Sequence, residues 1–442
     1  MQKYRLSAFN VTVQTDRGSE LLYNSNTGAV LEVAAPLKNI LENGIDLLSY
    51  SAQERLLEGG FLVDAEDNEL EMVRFRYERA KHSPILVLTL CPTLSCNLRC
   101  GYCYEGEPTV QPVMSEEVIR RIVDLAAKMG RSGVTITWYG GEPLLAKDLL
   151  VSIQKRISDV APVMHCSMVT NGTLLDARTY EMLVKCGLKR FQITVDGMPH
   201  IHNTRRATIT GRGTFDAVIN NLRQIQADHS TISIRVNLDR SNLDGYLNLM
   251  RFFAGDARLA RYVRGMYPAR VTNWPSVPCR WSALCYSEEE FGTEYLRLAD
   301  EVYAAVGESI VQVPVPRNTY CSASAENSLV IGPLGEIYKC WTSVGNPSAI
   351  VGYVGEDMVP NKAELDFWRS WTPFSNERCC SCNILPVCLG GCPAMVKSKM
   401  VAIGHQCVRE KHIIGEVLLR AQRRLMNERN VQCQEGLESR RQ

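Results

Sequence analysis

The sequence predicts an α/β fold, and three observations carry that prediction. Between Ile85 and Gly307, short β-rich runs alternate with amphipathic stretches at intervals of roughly thirty residues, the rhythm of repeated βα units around a parallel sheet. Upstream, Arg5 to Val33 alternates in the manner of short strands joined by tight turns. Downstream, seven of the eight cysteines from Cys321 to Cys407 form one ordered group, with Cys380 set apart. Together these divide the chain into residues 1–83, 84–308 and 309–442.

The first part has turn signals at Asp16-Arg17-Gly18 and Asn26-Thr27-Gly28, followed by helical patterns near Leu37 to Glu42 and Ala52 to Leu57. In the middle part the expected strands are Ile85 to Leu90, Val134 to Tyr139, Cys166 to Thr170, Arg190 to Val195, Ile232 to Asn237 and Tyr262 to Tyr267. Helices lie between them. Ser115 is placed to cap the first, with Glu116 and Glu117 in its opening turn, where the helix dipole favours anions, and Gly130 ends it. Thr214 to Ala227 repeats the pattern, with Phe215, Val218, Ile219, Leu222 and Ile225 at helical spacing. Six units are fewer than the eight of a closed barrel.

Composition excludes several function classes. A net charge of +1 over 442 residues offers nothing to a polyanion, so no nucleic-acid partner is expected. With 45% hydrophobic and 22% charged residues the composition is that of an ordinary globular chain, and no apolar run approaches the ~18 residues needed to cross a bilayer. No membrane partner is expected either. Met1 to Glu20 has no continuous apolar stretch of the kind a secretory signal needs, which points to the cytoplasm. In that compartment disulfides are disfavoured, and 17 cysteines, an odd number, argue for metal binding instead.

Cys96-Asn97-Leu98-Arg99-Cys100-Gly101-Tyr102-Cys103 places three thiols at spacings of four and three, directly after the first expected strand. Iron-sulfur clusters are normally held by four Cys thiolates, so a compact set of three leaves one iron position for something exchangeable. Zinc is the competing reading, but structural zinc closes its tetrahedron with four ligands. Cys91, five residues upstream beside Pro92, is the nearest further thiol. The Cys-x3-Cys-aromatic-Cys run resembles the signature of the radical S-adenosylmethionine (SAM) enzymes. That resemblance implies a partial (β/α)6 barrel, a [4Fe-4S] cluster on Cys96, Cys100 and Cys103 with SAM on its open iron, and cleavage of SAM to a 5′-deoxyadenosyl radical that abstracts hydrogen. It assigns Cys91 no role.

The second expected strand ends in Tyr139-Gly140-Gly141-Glu142-Pro143, which resembles the family's Gly-Gly-Glu-Pro motif. The resemblance implies that Gly140, Gly141 and Glu142 bind the SAM amino group. Glycines permit close backbone approach, and a carboxylate complements an ammonium. Further cofactor contacts are implied at Asn171, at Thr194 near the ribose, at Asp196, and at the Tyr102 carbonyl near the adenine amine. Arg205, Arg206 and Arg235 are candidates for the SAM carboxylate, since a guanidinium pairs with it bidentately. Surface solvation is the default for any single Arg, and the sequence does not choose among the three.

The downstream cysteines read Cys321-x13-Gly335-x4-Cys340, Cys379-x2-Cys382-x5-Cys388-x3-Cys392, then Cys407. Two close pairs alone would resemble a zinc ribbon. In this order the seven resemble the SPASM extension, which carries two auxiliary [4Fe-4S] clusters in enzymes that modify peptides and proteins. Carried over residue by residue, one cluster takes Cys379, Cys382, Cys388 and Cys407, and the other takes Cys321, Cys340 and Cys392. Cys279 and Cys285 are candidates for the missing fourth ligand, with Cys285 favoured. If neither arrives, that iron is open to a substrate atom. Cys166, Cys186, Cys380 and Cys433 are expected to be packing or surface thiols.

The hairpins and helices of residues 1–83 resemble the winged-helix peptide-recognition elements of enzymes that mature ribosomally made peptides. Such elements add a leader peptide to an exposed sheet edge. A structural cap on the barrel is the alternative. Three functions stay open. The first is a radical SAM maturase acting on a precursor peptide with a leader sequence, making a carbon-carbon or thioether crosslink or another oxidised side chain, with flavodoxin or ferredoxin as reductant. The second is an anaerobic sulfatase-maturing enzyme, in which the resemblance places a basic Asp where Trp341 stands here; indole cannot accept that proton. The third is a non-catalytic metal-binding module, which leaves Gly140 to Pro143 and the open-cornered triplet without purpose.

Overall fold

The computed structural model describes residues 3–34, 37, 39, 44, 45, 48–106, 111–226, 231–275, 277, 279–357 and 359–438. Its centre is one sheet in which β6 (Leu86–Leu90), β7 (Val134–Trp138), β8 (Val163–Thr170), β9 (Arg190–Thr194), β10 (Thr231–Leu238) and β11 (Met266–Arg270) lie side by side in chain order. Every neighbouring pair among these six is parallel. Helices Glu116–Met129, Lys147–Val160, Ala177–Lys185, Phe215–Gln224, Gly245–Ala254 and Glu288–Val306 alternate with them. The expected partial barrel of six βα units is therefore present.

The local signals act as expected. The Ser115 side chain accepts from the Val118 N–H, and Gly130 closes the first barrel helix. Leu86, Leu88, Leu90, Val134, Ile136 and Trp138 are buried with Ile119, Ile122 and Ala126 in one core, the burial expected of a parallel sheet covered by helices. Trp138 keeps its indole N–H satisfied on Gln154 at 3.2 Å.

The sixth strand departs from expectation. Tyr262 to Gly265 belongs to a 3-10 turn, Ala260–Gly265, and the strand begins at Met266. Tyr262 is drawn inward, its hydroxyl donating to the Leu222 carbonyl at 3.1 Å. Pro268 sits within β11 at no cost, because β11 is an edge strand and a missing N–H there breaks no ladder.

The sheet does not stop at the barrel. β12 (Ser328–Ile331) pairs parallel to β6, and β13 (Glu336–Tyr338) and β14 (Gly352–Tyr353) continue it antiparallel. One nine-stranded sheet thus joins the barrel to the cysteine-rich region across residue 308.

Near the amino terminus, β2 (Asn10–Gln14), β3 (Glu20–Asn24) and β4 (Val30–Val33) form an antiparallel sheet, and β1 (Tyr4–Leu6) pairs with β5 (Leu62–Asp64). Gly18 and Gly28 take positive φ in the two turns, as the turn signals require. The Ala52 to Leu57 pattern is the helix Tyr50–Glu58; most of Leu37 to Glu42 lies outside the described residues. This unit docks on the carboxyl-terminal region. Val11, Leu21 and Tyr23 pack on Ile384, Val387, Ile414 and Leu418, and Phe9, Val73 and Tyr77 on Leu385 and Leu389. Among the described residues, β4 has β3 as its one strand partner.

Candidate active site

Cys96, Cys100 and Cys103 lie in the loop that follows β6, and all three line a cavity of ≈ 620 Å³ at the carboxyl end of the parallel strands. Ligands bind at that end of open α/β sheets. Burial pushes the Cys96 thiol up to about 12 and raises Cys100 as well. Such thiols keep their protons until a metal ion supplies the compensating charge.

Gly140 and Gly141 press the end of β7 against this loop. The Gly141 N–H donates to the Thr93 carbonyl at 3.3 Å and the Glu142 N–H to the Ser95 carbonyl at 2.9 Å. A Cβ on Gly141 would stand 2.3 Å from the Ser95 oxygen and 2.4 Å from that of Leu94, so no other residue fits. Glu142 is fully buried. Its carboxylate accepts from the Thr170 hydroxyl at 2.7 Å, the Asn171 N–H at 2.8 Å and the Leu144 N–H at 3.1 Å. Burial raises its proton affinity, and these hydrogen bonds oppose that rise. Glu142 thus ties the ends of β7 and β8 together. Asn171 continues the chain of contacts, its side-chain Nδ2 donating to the Asn97 side-chain Oδ1 at 2.8 Å.

A second network joins the ends of β9 and β10. The Tyr102 hydroxyl donates to Asp196 at 2.5 Å and accepts from Arg206 at 2.6 Å and from the Asn237 amide at 3.1 Å. The sequence reading assigned Tyr102 only through its backbone carbonyl. The side-chain role went unseen because its partners lie roughly a hundred residues away or more. Thr194, at the end of β9, is buried beside this network.

The three candidate arginines separate. Arg205 is committed to Asp239 at 2.8 Å, with Asp196 at 3.7 Å, and lies over the Tyr102 and Trp281 rings at 5.3 and 4.9 Å. Arg206 is buried with its Nε–H unpartnered among the described residues and another guanidinium nitrogen donating to the Tyr102 hydroxyl. Arg235 donates from Nε to the Asn237 side-chain Oδ1 at 2.8 Å. Arg206 and Arg235 remain available to an anionic group.

His202 carried no motif, yet it braces this network. Its Nδ1 accepts from the Asp196 N–H at 3.2 Å, which leaves the proton on Nε2 to donate to Thr214 at 3.1 Å; the Thr214 hydroxyl in turn donates to the Arg206 carbonyl at 2.6 Å. Burial, with Arg206 and Arg205 nearby, pushes the ring down to about 3 and keeps it neutral.

In the carboxyl-terminal region Cys379, Cys382, Cys388 and Cys407 line one cavity of ≈ 210 Å³. Leu389, Gly390 and Gly391 turn the chain sharply, with φ of 43°, 83° and 65°. A Cβ on Gly391 would meet the Gln406 oxygen at 1.8 Å, and this close approach brings the Cys388 segment beside Cys407. Cys321, Cys340 and Cys392 gather around Ala323, Trp368 and Ala394. Among the described residues no three His, Cys, Asp or Glu side chains close on the position of a single metal ion.

The structure places Cys285 elsewhere. Its thiol adjoins Cys279 and has Asp239 and Arg270 among its neighbours, while those of Cys321 are Cys340 and Cys392. The expected fourth ligand is therefore not gathered with the other three. Cys279 approaches the Gly101 carbonyl at 3.8 Å, and Trp281 covers Gly101. Cys91 and Cys166 are buried, as expected of packing thiols; the Cys433 side chain lies outside the described residues.

The donor sets fit iron-sulfur clusters and SAM. Two of the cysteine groups offer thiols at cavities and the third gathers three thiols together, the glycines leave a cradle that a Cβ would fill, and Arg206 presents a buried N–H unpartnered among the described residues. When bound, the cluster would supply the electron that cleaves SAM, and these residues would hold and orient both.

Residues 90–253 match the model of the Radical SAM superfamily. The sequence is 32% identical over 203 residues to the GTP 3′,8-cyclase of Aquifex aeolicus, covering 43% of this chain and 60% of that protein. It is 24% identical over 332 residues to the serine-type anaerobic sulfatase-maturating enzyme of Klebsiella aerogenes, covering 68% and 77%. The chain thus spans less than two thirds of the cyclase. Two solved structures share its fold. The native anSMEcpe structure with bound AdoMet and the Cp18Cys peptide has a TM-score of 0.55 at 18% identity and covers 79% of this chain and 99% of that one. Streptococcus suis SuiB bound to the precursor peptide SuiA has a TM-score of 0.50 at 16% identity and covers 92% and 98%. The central barrel of this chain is a radical SAM domain.

Proposed function

We propose that the protein is a radical SAM peptide maturase with three [4Fe-4S] clusters. One is held by Cys96, Cys100 and Cys103 and binds SAM. The second uses Cys379, Cys382, Cys388 and Cys407, and the third uses Cys321, Cys340 and Cys392, with its fourth iron position left open to a substrate atom. Gly140, Gly141, Glu142, Asn171, Thr194, Arg206, Arg235 and the Tyr102 carbonyl form the SAM site. Residues 1–83 serve peptide recognition, residues 84–308 the radical chemistry and residues 309–442 the auxiliary clusters. A flavodoxin- or ferredoxin-like protein delivers the electron, and the cytoplasm is the expected compartment.

The observation that carries this reading is the gathering of the seven downstream cysteines into two groups beside a radical SAM barrel. β4 adds support: an edge strand near the amino terminus can accept a peptide as a further strand. Likeness to a sulfatase-maturating enzyme over 332 residues keeps formylglycine formation as the second reading. Trp341 counts against it, standing where that subfamily's base is expected. Likeness to GTP 3′,8-cyclases spans only 203 residues in the Aquifex protein and argues for the shared barrel chemistry alone.

The deciding experiment is anaerobic incubation of the reconstituted protein with SAM, reductant and a short peptide encoded beside its gene, followed by mass spectrometry. Loss of two hydrogens supports crosslinking or oxidation. Failure to form 5′-deoxyadenosine would overturn the enzyme assignment.

A further inference from the structure

The Tyr139 and Trp341 rings pack with centroids 4.6 Å apart and planes 41° apart. Tyr139 directly follows β7 and precedes Gly140 and Gly141, while Trp341 follows Cys340 directly in the chain. Both rings lie in one apolar cluster with Cys91, Leu94 and Val344. Cys103 and Gly141 line the same cavity as Thr342 and Val344, which follow Cys340 closely in the chain, so the two cysteine groups approach each other on the side where these rings meet. The ring contact thus joins the glycine turn at the triplet's cavity to the peptide unit that carries Cys340.

We propose that Tyr139 and Trp341 form the route by which an electron passes between the SAM-binding cluster and the auxiliary cluster of Cys321, Cys340 and Cys392. The proposal rests on the reading that both clusters are present. Through-space gaps slow electron transfer steeply, and two aromatic rings in contact replace such a gap with overlapping π density. Neither ring gains or loses an electron overall, and no bond in the protein changes.

The electron count closes. Cleavage of one SAM consumes one electron from its cluster. Hydrogen abstraction leaves a substrate radical, and loss of one proton to solvent and one electron to the auxiliary cluster completes its oxidation. Return of that electron through Trp341 and Tyr139 restores the reduced SAM-binding cluster. Trp341 thus has a use where a carboxylate base would have none to offer.

The test uses the full reconstituted chain, reduced with excess titanium(III) citrate, freed of reductant anaerobically and mixed with excess SAM. In the wild type, 5′-deoxyadenosine forms in two phases, the first from the electron on the SAM-binding cluster and the second from electrons stored on the auxiliary clusters. The auxiliary EPR signal fades in step with the second phase. Trp341→Leu slows that phase and the fading by about tenfold or more, a barrier increase of roughly 1.4 kcal/mol or more. Trp341→Phe, which keeps a ring, slows them less.

Equal second-phase rates in wild type and Trp341→Leu, with iron content unchanged, would overturn the route and leave the rings a packing role. A wild type with one phase and a persistent auxiliary signal would do the same. Iron for a single cluster, or no 5′-deoxyadenosine at all, would instead remove the three-cluster reading beneath the proposal. SAM-induced change in the EPR signal of its own cluster verifies that each variant still binds SAM.

Discussion

The Glu142 carboxylate accepts a hydrogen bond from the Asn171 backbone N–H at 2.8 Å, and that contact locks the ends of two adjacent parallel strands under the candidate cofactor site. Glu142→Ala strands this N–H and that of Leu144 in a fully buried position. Each buried orphan costs about 1–3 kcal/mol, so the variant is expected to lose roughly 3 kcal/mol or more of stability. Urea denaturation measures it; a loss below about 1 kcal/mol would contradict the arrangement.

Cys96→Ala, Cys100→Ala and Cys103→Ala should each abolish 5′-deoxyadenosine formation. The triple variant should keep the iron of both auxiliary sites, because those cysteines gather apart from the triplet, four around a separate cavity and three around Trp368. Iron and sulfide analysis checks this, and complete loss of iron would contradict the three-site layout.

Cys285→Ser is expected to leave the iron content unchanged, since the Cys285 thiol adjoins Cys279 rather than the Cys321 group. A fall in iron or an altered auxiliary EPR signal would return Cys285 to the ligand set.

His202 makes stability depend on pH. Its folded value, about 3, lies below the ordinary value of 6.5, so the unfolded chain binds the extra proton between these limits. The stabilisation is fully present above pH 6.5 and is lost as pH falls toward 3. Its steepest slope is about 1.4 kcal/mol per pH unit. Urea midpoints for the wild type and His202→Asn between pH 5 and 7 report it: the wild type should lose more stability on acidification than the variant, and parallel curves would refute the assignment.

Much of the barrel was legible because its signals are local. The 3.6-residue pattern of Phe215, Val218, Ile219 and Leu222 marks a helix wherever the rest of the chain lies, and Ser115 caps its helix by bonding three residues ahead. The sixth strand was misplaced because Tyr262 and Val263 read equally well as strand or as buried turn until packing decides. Likewise the downstream cysteines announce themselves by spacing, but nothing in Pro278 to Cys285 says which way its thiols face.

The sequence by itself determined the α/β class, the cysteine triplet, the Gly-Gly-Glu-Pro turn and the seven-cysteine order, because each is a pattern of residues close together in the chain. Only the tertiary structure decided that Arg205 is spent on Asp239, that Cys285 adjoins Cys279, that the amino-terminal sheet rests on the cysteine-rich region, and that Tyr139 meets Trp341. Many of these contacts join residues tens to hundreds of positions apart, and only burial in the folded state, with its demand that charges pair and apolar faces be covered, brings such residues together.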